Sequence, residues 1–246
     1  MLPIWLCTII YSVVFTQMAS LFVEQGDAMD TRLPGGFRIP AASMSAFDIA
    51  SVLVTTAVYR RVLVPVSARL TSNPRGLTEL QRMGIGLIIG LLAMLAAGAT
   101  EAQRLRRVAP GERASSLSIL WQVPQYVLVG ASEVFMYVGQ LDFFNGQAPD
   151  GIKSFGSSLC MASISLGNYV SSLLVAAVMA VTARGGGGAR PGWIPDDLNS
   201  GHLDRFFFLI AALTAVDFVA YVLCAKWYKC INVDEGVKED ENSQRV

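Results

Sequence analysis

The chain has 246 residues, of which 53% are hydrophobic and 15% charged, and its mean hydropathy is +0.47. Because soluble domains carry about 25% charged residues, this composition predicts an integral membrane protein. Nineteen lysines and arginines balance nineteen aspartates and glutamates, which excludes the basic surface that nucleic-acid binding requires. The four cysteines form no Cys-x-x-Cys pair, which argues against a disulfide framework or a zinc site.

Six stretches are apolar over roughly the 20 residues that a helical membrane crossing needs. In chain order the predicted spans cover residues 2–23, 41–64, 83–99, 117–144, 155–181 and 206–225. The first stretch is too long for the apolar part of a signal peptide and has no basic residues before it. We therefore predict an all-α membrane protein, with six transmembrane helices in residues 1–229 and a polar, disordered tail at residues 230–246.

The distribution of basic residues gives a weak indication of orientation. If both termini lie on the same side of the membrane, ten lysines and arginines fall on that side and nine on the other. The basic residues of positions 60–82 are concentrated in one short connection. The positive-inside rule therefore leans towards cytoplasmic termini.

Polar side chains follow one face of the fourth span. They lie within about 60° of one another at 100° per residue, and they are Gln122, Tyr126, Glu133, Tyr137 and Gln140. A carboxylate in the middle of a span costs roughly 3 kcal/mol on insertion scales, and no lysine or arginine occupies the middle of a predicted span. Glu133 is therefore interpreted either as a transport residue in a water-filled cavity or as a buried partner of another helix.

Small polar side chains recur at helical spacing in two further spans. They are Thr8, Ser12, Thr16 and Ser20 in the first span, and Asp48, Ser51, Thr55 and Tyr59 in the second. Such a pattern indicates either close helix packing or the wall of a wet cavity. The third span has no such residues and the sixth has only Thr214 and Asp217, so we predict that these two spans are lipid-facing or peripheral.

The sequence contains no pattern of catalytic residues. His202 is the only histidine, and a lone histidine in a loop is typical of a surface or capping residue. A Ser/His/Asp set, a glycine-rich phosphate loop and a metal-binding cluster are all missing from the sequence, so neither an enzyme nor a cofactor is expected. A channel is disfavoured because nothing resembles a selectivity filter.

Longer motifs indicate a family. They are Leu2-Pro-Ile-Trp5, Phe22-Val-Glu-Gln-Gly26, Leu80-Gln-Arg-Met-Gly-Ile-Gly-Leu87, Trp121-Gln-Val-Pro-Gln-Tyr126, Gly130-Ala-Ser-Glu-Val-Phe135, Gly139-Gln-Leu-Asp-Phe-Phe144 and Gly192-Trp-Ile-Pro-Asp-Asp-Leu-Asn199. From residue 2 to about residue 233, the chain resembles the plant nitrate/peptide transporter family, the plant branch of the proton-coupled oligopeptide transporters. It looks nearest the branch that includes nitrate exporters loading the xylem.

The resemblance implies a fold. The family has the major facilitator fold, in which two six-helix halves enclose a substrate site at the bilayer midplane. This chain is similar to the second half, helices seven to twelve, built as two inverted three-helix repeats at about residues 2–100 and 117–226. Both of its termini would be cytoplasmic. The polar face of the fourth span, from Gln122 to Gln140, is called the polar stripe below, and it would belong to the cavity-lining helix ten.

The resemblance also assigns roles to residues. Glu133 matches the helix-ten glutamate that faces the substrate's amino group in peptide-transporting relatives and couples to proton movement, and Asp142 continues that motif towards the cytoplasmic end. The other candidates for substrate binding or proton coupling are Gln122, Tyr126, Tyr137, Gln140 and Asn168.

Two features depart from the family pattern. Many members have Pro-x-Tyr-Asp-Arg at the end of helix eight, where this chain reads Ala57-Val-Tyr59-Arg60-Arg61. An arginine thus replaces one partner of a charge-pair latch. The helix-one Glu-x-x-Glu-Arg motif and the helix-four basic residue belong to the family's first half, which this sequence does not contain.

These observations predict a proton-coupled secondary transporter of nitrate or another small solute, such as a peptide or an organic anion. The chain would lie in the plasma membrane, or alternatively in the vacuolar membrane. Its partners would be the lipid bilayer, the solute, protons and the missing N-terminal six-helix half. The alternative is a truncated half that does not transport and either associates with other transporters or is an inert fragment.

Overall fold

The computed structural model describes residues 2–32, 36–71, 77–109, 114–147, 153–183, 192–195 and 197–243. Within these stretches the α-helices are α1 (Leu2–Ala19), α2 (Leu21–Asp27), α3 (Ser45–Val58), α4 (Val64–Thr71), α5 (Glu79–Arg106), α6 (Val123–Gln147), α7 (Lys153–Ala183) and α8 (Leu203–Ser243). Short 3-10 helices cover Ala41–Met44, Ile119–Gln122 and Leu198–Ser200, and a π-helix covers Tyr59–Leu63.

Six helical segments are long and apolar enough to cross a membrane. They are Leu2–Asp27, Ala41–Arg69, Glu79–Arg106, Ile119–Gly146, Gly156–Ala183 and Leu203–Tyr228. Each overlaps one predicted span, so the all-α fold with six membrane helices is confirmed. The reason is physical, since a helix satisfies every backbone hydrogen bond within its own segment and can therefore enter the bilayer core.

Local sequence explains the irregularities of these helices. α5 begins with a capping box, in which the Gln81 backbone N–H donates to Thr78 Oγ1 over 3.2 Å and the Thr78 backbone N–H donates to Gln81 Oε1 over 3.1 Å. The π-helix ends two residues before Pro65. Because proline lacks an N–H, it removes one helical hydrogen bond, and a wider turn accommodates this loss.

The last helix differs from the prediction. α8 continues from the membrane span to Ser243, so residues 230–243 are helical, whereas the sequence predicted a disordered tail from residue 230. This segment is polar but contains no proline, so no residue forces the helix to end.

The helices pack in a connected arrangement around two apolar clusters. α5 packs against α6 and α8, α3 packs against α6, and α1 packs against α7 and α8. One cluster surrounds Phe22, Tyr126 and Phe207 at the C-terminal end of the first span. The other surrounds Tyr11 and Met136 nearer to the N-terminal end of that span.

The third span is more buried than predicted. α5 packs between α6 and α8 and buries one side along its whole length, so it is not peripheral within this chain. Its exposed side is nevertheless apolar, with Ile88, Leu92 and Leu95 among the exposed residues. The sequence pattern therefore identified the side that can face lipid but missed the side that packs against two helices.

The crossing of α1 and α7 depends on a glycine. A Cβ atom on Gly167 would collide with Ser12 Cβ and would lie 3.0 Å from the Ser12 carbonyl carbon and 3.2 Å from the Ile9 carbonyl oxygen. These atoms belong to the backbone of α1 or lie next to it, so they cannot move independently of the helix. Small residues that allow backbones to approach closely are typical of helix contacts in membranes.

Gly167→Ala is therefore expected to lower the free energy of unfolding by about 1–3 kcal/mol, the usual range for overpacking. The measurement is thermal unfolding of the purified chain in detergent micelles. Gly146→Ala is the matched control, because a Cβ at Gly146 meets nothing within 4 Å. Equal stability of the two variants would contradict the tight crossing.

Candidate functional site

The polar stripe of the fourth span does not face a single environment. Its two ends are fully buried, because Gln122, Tyr126 and Gln140 each have 0% exposure. The middle is different, since Glu133 and Tyr137 are partly exposed. The stripe therefore divides into two structural ends and a central part that is accessible.

At one end, Gln122 ties the start of α6 to the first span. Its Nε2 donates to the Phe22 carbonyl oxygen over 2.9 Å and to Gln25 Oε1 over 3.1 Å. Tyr126 packs edge-on against the Phe22 ring, with 5.5 Å between the ring centroids. These contacts hold helices of this chain together, so the interpretation of Gln122 as a cavity residue is not supported by its surroundings.

At the other end, Gln140 joins three helices. Its Nε2 donates to Thr8 Oγ1 on α1 over 3.2 Å and to Ser163 Oγ on α7 over 2.8 Å. Ser163 in turn donates to the Cys160 carbonyl oxygen over 2.7 Å. Gln140 is therefore placed as an interhelical bridge inside the bundle, away from any accessible surface.

Tyr137 and Glu133 occupy the accessible centre. The Tyr137 ring packs edge-on against Tyr11 and Phe15 of α1, with 5.6 Å between centroids in each pair. Glu133 Oε1 is buried and has no hydrogen-bond partner among the described residues. A half-buried carboxyl group without a protein partner can bind a proton or a cationic group, so Glu133 remains the central candidate.

Asn168 lies on the exposed side of α7. Its Oδ1 accepts a hydrogen bond of 2.7 Å from Thr16 Oγ1 on α1. Thr16 also donates to the Ser12 carbonyl oxygen over 2.8 Å. The serine and threonine pattern of the first span therefore combines both interpretations, with close packing at Ser12 and a polar exposed surface at Thr16 and Asn168.

A second carboxyl group lies near the crossing of α3 and α6. Asp48 is 5% exposed, and one turn further along α3 the Ser51 hydroxyl donates to the Val127 carbonyl oxygen over 2.6 Å. The sequence placed Asp48 on the polar face of the second span but gave it no role. Only the structure places it against α6.

A buried ionic network was missed by the sequence analysis. Arg104 is fully buried and binds Glu101 through two hydrogen bonds, Nε to Oε2 over 2.9 Å and Nη2 to Oε1 over 2.7 Å. Arg104 Nη1 donates to Asn199 Oδ1 over 2.6 Å, and Gln25 Nε2 donates to Glu101 Oε2 over 2.9 Å. The spacing of Glu101 and Arg104, three residues apart on one helix, is the signal that could have revealed the pair.

A further ion pair joins α5 to α6. Arg82 Nη1 donates to Asp142 Oδ2 over 2.7 Å, and the Arg82 guanidinium carbon lies 4.9 Å from the centre of the Tyr59 ring. The sequence lacks the usual loop aspartate after Tyr59.

Comparison with known proteins places this geometry in a family. The POT family model matches residues 1–194. The Arabidopsis thaliana protein NRT1/PTR family 7.1 is 68% identical over 96% of this chain and 37% of its own length. NRT1/PTR family 7.2 of the same plant is 61% identical over 98% of this chain and 42% of its own length.

Solved structures agree with the sequence relatives. An auto-inhibited POT family peptide transporter matches 92% of this chain and 40% of its own, with a TM-score of 0.72 and 25% identity. The POT family transporter PepTSo matches 93% of this chain and 41% of its own, with a TM-score of 0.69 and 25% identity. The chain thus spans about two fifths of the length of these relatives. The sequence match, the six membrane helices and the fold agree, and the chain belongs to the POT family.

Proposed function

We propose that this chain is the C-terminal six-helix half of a proton-coupled transporter, which carries nitrate or another small solute such as a peptide or an organic anion. The observation that carries the proposal is the uneven burial of the six spans. In their most apolar windows, 22% of the residues of Ala41–Arg69 and 11% of those of Gly156–Ala183 are buried, against 39–56% in the other four spans. Most residues of these two spans are thus left uncovered by the other helices of this chain, as expected of helices that contact a second half.

The pattern of helix contacts supports two inverted repeats. In two such repeats, α1 corresponds to α6, α3 to α7 and α5 to α8. The contact of α3 with α6 then corresponds to the contact of α7 with α1. In the same way, the contact of α5 with α6 becomes that of α8 with α1. All four contacts are present. Inverted repeats of this kind place the substrate site at the interface between transporter halves.

The charges of this half bear on the choice of solute. Arg82 is paired with Asp142, and Arg104 is paired with Glu101. In this proposal Glu133 takes part in proton movement, while the positive charge that an anion such as nitrate needs comes from the other half. An amino group of a peptide would instead approach Glu133 directly. We propose that the chain lies in the plasma membrane and that both of its termini are on the cytoplasmic side.

The test is to supply the missing half as a separate polypeptide. An N-terminal half taken from NRT1/PTR family 7.1 is the natural choice, because that relative is 68% identical to this chain over the matched residues. The two chains are co-expressed in oocytes, and uptake of nitrate and of a dipeptide is measured under an inward proton gradient. The full-length relative is the positive control, and each half alone is the negative control.

We expect the two chains to copurify and to give proton-driven uptake only when expressed together. Uptake by this chain alone would contradict the proposal that it is half of a transporter. Copurification without uptake of any solute that the full-length relative carries would favour the alternative, a non-transporting half that associates with other transporters.

A further inference from the structure

α3 lies directly against α6 at Gly130. A Cβ atom on Gly130 would lie 2.6 Å from the Asp48 carbonyl oxygen, 2.8 Å from Asp48 Oδ1 and 3.0 Å from Ser51 Cβ. Both the backbone and the carboxyl group of Asp48 therefore rest directly on the surface of α6. The missing side chain of Gly130 creates the space that the carboxyl group occupies.

This position brings Asp48 close to Glu133. Glu133 follows Gly130 by three residues, and residues at this spacing are neighbours on a helix surface, with about 5–6 Å between their Cβ positions. A carboxyl group resting on Gly130 is therefore within reach of the Glu133 side chain.

Neither carboxyl group is satisfied by the described part of the chain. Asp48 Oδ1 and Glu133 Oε1 are both buried without a hydrogen-bond partner among the described residues. The other titratable groups next to the pair are the hydroxyls of Tyr126, one turn before Gly130 on α6, and of Tyr137, one turn after Glu133 on the same helix. Tyr11 of α1 packs against the Tyr137 ring. The Tyr126 hydroxyl is itself buried without a partner among the described residues, whereas the Tyr11 hydroxyl is bonded to Ser132 Oγ over 2.8 Å.

Two neighbouring carboxylates repel each other in a medium of low dielectric constant, and a single proton relieves the repulsion. The proton is taken from hydronium by one carboxylate oxygen, which releases water. It then forms an O–H···O hydrogen bond to the second carboxylate. The pair thereby changes from two negative charges to one.

We propose that Asp48 and Glu133 form a carboxyl pair that binds one proton between them, with Asp48 as the buried member and Glu133 as the member reached from the exposed side. The role of this proton in transport rests on the proposed function, whereas its binding does not. The proposal adds a residue on a second helix to the site, so that proton binding also joins α3 to α6.

A double-mutant cycle on the purified chain tests the pair without a transport assay. The chain and its Asp48→Asn, Glu133→Gln and doubly substituted variants are unfolded thermally in detergent micelles at pH values from 5 to 8. Asparagine and glutamine keep the size of the carboxyl groups but bind no proton in this range. Asp217→Asn is the matched control, because Asp217 is 3% exposed and lies on α8.

We expect each single variant to lose the same part of the pH dependence of the Tm, and the double variant to lose no more than either. Asp217→Asn is expected to keep that part. If Asp48→Asn retains the pH dependence while Glu133→Gln loses it, Glu133 titrates alone and the proposal is wrong. Additive losses would likewise contradict a shared proton.

Gly130→Ala provides a second variant in case Asp48→Asn does not fold. It retains both carboxyl groups but displaces Asp48, since its Cβ would lie 2.8 Å from Asp48 Oδ1. We expect it to lose the same pH-dependent part of the Tm, and an unchanged pH dependence would overturn the pair. None of these measurements uses transport. Failure of the co-expression experiment would therefore contradict the proposed function but not the proposed carboxyl pair.

Discussion

Arg104→Ala is expected to lower the free energy of unfolding by about 3–5 kcal/mol, the range for removing one partner of a buried ion pair. Arg104 and Glu101 are both fully buried. After the substitution, Glu101 keeps only the hydrogen bond from Gln25 among the residues that the structure describes, and none of these supplies a cation for its negative charge. The loss is measured by thermal or denaturant unfolding in mixed micelles, with helix content as the signal.

Arg106→Ala is the matched control for this prediction, because Arg106 lies one half-turn away on α5 and is exposed. Surface substitutions usually change stability by less than about 0.5 kcal/mol. Similar losses for the two variants would contradict the structural importance of the network. A companion variant, Glu101→Gln, is expected to destabilise the chain as well, since it leaves the Arg104 charge buried without its anion.

The position of this network explains why its effect is large. It connects Gln25 of α2 and Glu101 of α5 to Asn199 in the turn before α8. Gln122 and Gln125 extend it to the start of α6, because both donate to Gln25 Oε1, over 3.1 and 3.0 Å. Helices of the first and the last three spans are thus joined at one end of the bundle, so losing Arg104 weakens several contacts together.

Glu133→Gln in the reassembled two-chain transporter is expected to reduce proton-driven uptake about tenfold or more, which corresponds to roughly 1.4 kcal/mol or more. Glutamine preserves the shape of the side chain but does not bind a proton. The protons that drive transport therefore lose a binding site in the middle of the fourth span. The remaining uptake is expected to depend much less on external pH. The measurement is initial uptake rate at several external pH values.

Glu79→Gln is the control for this experiment, since Glu79 is an exposed glutamate in the first turn of α5. It is expected to leave both the rate and the pH profile unchanged. An unaltered rate and pH profile in Glu133→Gln would remove Glu133 from the coupling mechanism. Surface expression of each variant is measured in parallel, so that a loss of protein is not taken for a loss of activity.

Two kinds of buried polar group occur in this half. The side chains of Arg104 and Glu101 have partners on neighbouring elements, Asn199 and Gln25, and they stabilise one arrangement of the bundle. Asp48 and Glu133 each have a buried oxygen without a partner among the described residues. In the proposed mechanism the first kind keeps this half rigid, while the second kind provides the group whose charge changes during transport.

The sequence by itself determined the class of the protein and the number of its spans. Hydropathy over about 20 residues is a local property, and in lipid it fixes both the helical conformation and the crossing. The motifs that include Glu133 and Gln140 also led to the correct family. The helical wheel applies to Tyr126, Glu133, Tyr137 and Gln140, which lie on α6, because helix geometry is the same wherever the helix packs. Gln122 lies in the 3-10 helix that precedes α6.

Only the tertiary structure decided what that face contacts. A helical wheel gives a direction but not a neighbour. Gln122 looked like a cavity residue until α2 was placed against it, and Gln140 did so until α1 and α7 were placed against it. The third span looked peripheral because its buried side consists of small and apolar residues, which lipid and packed helices accept equally well. Arg104 meets Asn199 and Asp48 meets Gly130 across long separations in the chain, and such pairings follow from the way the helices pack.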